Sequence, residues 1–127
     1  MTTKRHPPWT DQENAAIARL YFDMLNCAIW DKPYNKAAMI RTAQTGLNCN
    51  CYTLAEAVLP DRSRGSIEAK LMNCSAVHAA IDSEAVTMDG YGYRALANYQ
   101  ASLINAIRDE LTKRDPHFIR DHAEASA

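Results

Sequence analysis

The tetrad Thr10-Asp11-Gln12-Glu13 constrains this chain more than any other stretch. A threonine with a glutamate three residues on is a capping box. The hydroxyl accepts from the glutamate amide, and the carboxylate reaches back to the threonine amide. Ile17, Leu20, Tyr21, Met24 and Ala28 then recur at helical spacing, which predicts a helix with one apolar face and with Arg19 and Asp23 pointing elsewhere. Trp9, just before the cap, is expected to fold back onto the core.

The rest of the chain repeats this grammar. Asp31-Lys32-Pro33-Tyr34 breaks the first helix, because proline lacks a donor and biases its predecessor away from helical angles. Asn35 caps a second helix through Ala37, Ala38, Ile40 and Ala43 to a stop at Gly46. A short third helix is predicted from Thr53, with Glu56 closing another capping box and Leu54, Ala57 and Val58 facing inward, until Leu59-Pro60-Asp61. A longer helix runs from a Ser63 cap to about Ile81 on the stripe Ile67, Leu71, Cys74, His78 and Ile81. Ala69, Ala76 and Ala80 leave its surface low and open to a partner. Residues 82–95, with Gly90 and Gly92, read as a loop. A last helix, about Asn98 to Lys113, aligns Leu96, Tyr99, Leu103, Ile107 and Leu111, with Ile104 beside them, and Asp115-Pro116 stops it. No strand-like alternation or internal repeat occurs. The expected fold is all-α, a compact bundle of four to five helices containing a helix-turn-helix-like element. Residues 1–8 form a flexible N-terminus, 9–114 a single helical domain and 115–127 a polar tail.

A chain of 127 residues, 47% of them apolar, is long enough for one core. Its 14 basic and 15 acidic side chains give a net charge of -1, which disfavours a non-specific polyanion binder, so any nucleic-acid contact must come from a local patch. With no secretory-type apolar segment and no apolar run approaching a membrane span, the expected location is cytoplasmic. In a reducing compartment Cys27, Cys49, Cys51 and Cys74 are free thiols. The one-residue spacing of Cys49 and Cys51 is unlike a zinc knuckle, so neither metal nor cofactor is expected. His78 reads as a core histidine, and His6, His117 and His122 fall in loose ends. His117 and His122 lack the intervening glutamate of a zincin helix, and no phosphate loop or nucleophile elbow occurs, so the chain is not expected to be an enzyme.

The run from Leu54 to Leu71 has the layout of a helix-turn-helix: a short helix, a tight turn, and a second helix opening at a serine. Such a second helix can carry Arg62 and Arg64 to phosphates or base edges, with Ser66 as a hydrogen-bonder and Lys70 and Asn73 one or two turns further on. The alternative is a solvated helix start whose arginines pair with Asp61 and Glu68. Tyr91 and Tyr93, flanked by glycines, are candidate anchors for a protein partner. Trp30, Tyr34, Tyr52 and Tyr99 read mostly as structural.

Trp9-Thr10 with Glu13, together with Leu59-Pro60-Asp61-Arg62-Ser63 and Ser66-Ile67, looks like the Myb/SANT-type three-helix DNA-binding pattern. More specifically, the chain resembles the helical N-terminal domain found before HNH-type nucleases in bacterial and phage restriction-like proteins. The resemblance rests on residues 21–25, Tyr34-Asn35-Lys36, residues 62–77, Gly92-Tyr93 and Asn98-Tyr99-Gln100, and covers most of Trp9 to Leu111. That family carries an aromatic and then a polar pair such as His-Gln where this chain has Ala69, Leu71 and Met72, and proline in place of Ala95. The resemblance implies a DNA-binding or DNA-targeting accessory module of a mobile-element or defence-type system, without its own catalysis and acting on double-stranded DNA. The competing expectation is a small inhibitor or adaptor docking on a nuclease or other nucleic-acid-processing protein.

Overall fold

In the computed structural model, which describes residues 8–30, 32–49, 52–81 and 99–114, the first capping box forms in full. Glu13 donates its amide to Thr10 Oγ1 at 3.1 Å, and the Thr10 amide donates to Glu13 Oε1 at 3.0 Å. Four helices follow: α1 (Asp11–Ile29), α2 (Lys36–Thr45), α3 (Arg64–Ile81) and α4 (Ala101–Arg114). The described residues contain no strand, only an isolated bridge between Cys49 and Tyr52.

The expected stripe on α1 is buried at Ile17, Leu20, Tyr21 and Met24, whereas Ala28 is exposed. Ala18, Phe22 and Leu25 are buried as well. More than one face of α1 is therefore covered, because α2, α3 and α4 all pack against it. The longest interface is with α4. Asn14 meets Ser102 at one end and Asp23 meets Arg114 at the other, so the two helices run side by side in the same direction. Met39, Ile40 and Ala43 of α2, Ile67, Leu71, Cys74 and Val77 of α3, and Leu103, Ala106, Ile107 and Leu111 of α4 complete the core, with Leu59 from between α2 and α3.

Asn35 caps α2 by accepting from the Ala38 amide, and Gly46 ends it in the left-handed region at φ 77°. Ser63 caps α3, its hydroxyl accepting from the Ser66 amide at 3.1 Å. α4 begins at Ala101, and Tyr99 and Gln100 precede it. The Gln100 carbonyl accepts from the amides of Leu103 and Ile104, so the first turn closes on Gln100.

The short helix expected from Thr53 is not formed, and with it goes the tight helix-turn-helix layout. Val58 and Leu59 donate their amides to the Ala43 carbonyl at the end of α2, at 2.9 and 2.8 Å, and Leu54 donates to Asn48 Oδ1. Those donors serve the connection instead of a helical ladder. Leu59 is thereby carried into the core with no exposed surface, a burial that a continued helix would have to give up.

Candidate binding surface

The start of α3 collects the residues expected to read DNA, and the structure separates them. At about 100° per residue, Ser66, Lys70 and Asn73 fall within roughly 60° of one another, while Arg64 lies about 120–180° round the helix. Arg64 is exposed and pairs with Glu68 one turn on, Nε to Oε1 at 2.9 Å. Ser66, Lys70 and Asn73 are all half-buried along the other flank. Ala69 is exposed, but Ala76 is buried and Ala80 half-buried, so the open alanine surface expected along α3 is not continuous.

Arg62 does not sit on the surface. It is 6% exposed. Its Nε and Nη2 donate to the two carboxylate oxygens of Glu13 at 2.7 and 2.8 Å, and Nη2 donates to the Pro8 carbonyl at 3.0 Å. The guanidinium that sequence reasoning sent to a phosphate is bound bidentately inside its own chain, a geometry that planar arginine forks favour. The bond from Arg62, foremost, holds the Glu13 carboxyl well below its ordinary 4.5, at about 2.

Trp9 packs against the core as expected, and its ring is covered by two cations. The Arg62 guanidinium carbon lies 4.9 Å from the ring centroid and Lys70 Nζ 5.3 Å from it. Burial beside that ring pushes the Lys70 ammonium below the ordinary lysine range. The Trp9 carbonyl accepts from Gln100 Nε2 at 2.9 Å, and Gln100 Oε1 accepts from Asn14 Nδ2 at 3.0 Å. Residues 8–10 thus tie together the starts of α1, α3 and α4.

No catalytic arrangement stands out among the described residues. His78 is buried with its Nδ1 2.9 Å from the Tyr21 hydroxyl, the satisfied core histidine that its stripe position implies. Two shallow clefts flank Ala15 on α1. One, of about 390 Å³, also takes in Arg19 and Glu56; the other, of about 230 Å³, runs from Asp11 to Asp109 along α4. No histidine or cysteine lines either. No three His, Cys, Asp or Glu side chains converge as metal ligands among the described residues. Cys27 is a half-buried free thiol, Cys49 is half-buried, and burial pushes the Cys74 thiol far above its ordinary range. No described helix is long and apolar enough to cross a membrane.

Compared with protein-family models, curated proteins and solved structures, the chain matches none.

Sequence reasoning overlooked the end of α1. Ile29 is 53% exposed and Trp30 69%, so Trp30, grouped by sequence with structural aromatics, presents a large ring to solvent. The signal was its position, one residue before the Asp31-Lys32-Pro33 break, where a helix runs out of neighbours. Tyr91 and Tyr93 lie outside the described residues.

Proposed function

We propose that this chain is a non-catalytic helical interaction module that docks on a protein partner, with Ile29 and Trp30 among its anchors. The observation that carries this reading is the exposure of Trp30 beside Ile29, since aromatic side chains dominate the energetics of protein interfaces. The divided basic residues and the near-zero net charge support it further. The resemblance to domains that precede HNH-type nucleases suggests a nucleic-acid-processing enzyme, a nuclease above all, as the kind of partner. The test is affinity capture from the source cell followed by reconstitution with the purified partner. Trp30→Ala is expected to weaken binding at least tenfold, as a hot-spot truncation does, while Arg64→Ala leaves it unchanged. Equal binding by the parent and Trp30→Ala chains rejects this anchor.

One observation favours direct DNA binding as a second reading: Ser66, Lys70 and Asn73 share a flank on successive turns of α3. With Arg62 enclosed and Arg64 on another side of the helix, Lys70 is the cation left on this flank. The logarithm of the duplex binding constant is then expected to fall against the logarithm of salt with a slope of about -1. A parent chain that does not retain duplex DNA at low salt removes this reading.

A further inference from the structure

The flank of α3 that carries Ser66, Lys70 and Asn73 is covered at Lys70, its middle, by the chain itself. The Trp9 ring lies over the ammonium, and the bonds that hold its neighbours Pro8 and Thr10 lead to one carboxylate. Glu13 Oε1 accepts from both the Thr10 amide and Arg62 Nη2, and Oε2 accepts from Arg62 Nε. The same Arg62 Nη2 holds the Pro8 carbonyl. The helix cap and the enclosure of Trp9 therefore share an anchor.

The strap lies at the margin of the core, against which Trp9 packs. Among the described residues every fully buried large side chain lies on a helix or is Leu59, whereas Trp9 is only half-buried. Of the bonds that hold the strap, only that from Arg62 to the Pro8 carbonyl is part-buried; the capping bonds and the bond from Gln100 to the Trp9 carbonyl are exposed, so water can replace them, and segments held mainly in this way open at lower free energy than the core. We propose that Pro8–Thr10 is an autoinhibitory strap, latched by Glu13, that opens without dismantling the helices and uncovers the Lys70 flank of α3. Duplex DNA, the occupant that the second reading gives this flank through Ser66, Lys70 and Asn73, must displace the ring first. The inference concerns access to α3 and does not depend on Trp30 as an anchor.

The experiment uses Trp30→Phe, which leaves Trp9 as the sole tryptophan. Adding Glu13→Gln is expected to shift acrylamide quenching of Trp9 toward that of free tryptophan amide while far-ultraviolet circular dichroism keeps the helical spectrum. In the same variant the pH midpoint for acylation of Lys70, followed by mass spectrometry, moves up toward the ordinary lysine value as the ring leaves the ammonium. A folded Glu13→Gln chain in which both readouts match the parent overturns the latch. If Glu13→Gln does not fold, native-state hydrogen exchange on the unsubstituted chain decides. Exchange of the Thr10 and Glu13 amides through a smaller opening than those of Met24 and Ile107 supports the strap. Exchange of all four only through global unfolding overturns it.

Discussion

A single carboxylate, that of Glu13, closes the cap of α1 and binds Arg62, so protonating it weakens two contacts together. Its pKa lies near 2 in the folded chain, against an ordinary 4.5. The sign follows from linkage: the stabilisation is complete above the unfolded value and is lost as pH falls through the folded one. Glu13→Gln is expected to cost on the order of 2 kcal/mol at neutral pH. The gap between parent and variant should narrow between about pH 4.5 and 2, as urea unfolding across that range will show. Parallel loss of stability in the two chains would exclude titration of Glu13 as the cause. The two arginines of the sequence motif should also differ sharply. Arg62→Ala strands a half-buried carboxylate and is expected to cost about 3 kcal/mol, whereas Arg64→Ala removes an exposed pair with Glu68 and should change stability by less than about 1 kcal/mol. Thermal melts of the two variants make the comparison.

At the level of elements, helix ends were more legible than connections. Thr10, Asn35, Ser63 and Gly46 could be read as caps because capping needs only local geometry. The same rule applied to Thr53 and Glu56 failed, since no local pattern announces that the amides of Val58 and Leu59 will reach the Ala43 carbonyl. Distance along the chain also hid the fate of Arg62. Its partner Glu13 is 49 residues away, and from sequence Asp61 and Glu68 were the nearer candidates. The glycines give a test at this scale. Gly46 has φ 77°, and an added Cβ would lie 3.1 Å from the Ala57 nitrogen, so Gly46→Ala is expected to destabilise by about 1 kcal/mol or more. Gly65, in the first turn of α3, has nothing within 4 Å of an added Cβ, and Gly65→Ala should stabilise by roughly 0.5 kcal/mol. Denaturant midpoints that move in the same direction for both would contradict this account of the turn.

Across the whole molecule, the pairing of α1 with α4 joins groups 88 and 91 residues apart in the chain. Leu103, fully buried on α4, should be a point of global weakness: Leu103→Ala is expected to cost about 2–5 kcal/mol, seen as one cooperative shift of the thermal transition. The parallel course of these helices also sets a schedule. Of the described helices α1 is synthesised first and carries the most heavily buried surface, yet the side that meets α4 lacks that partner until α4 has left the ribosome. The growing chain must hold that apolar side open through the making of α2, α3 and everything between, a condition that invites chaperone binding and aggregation. Nascent chains stalled before Ala101 should therefore remain clients of ribosome-associated chaperones, and release should coincide with the emergence of Leu111.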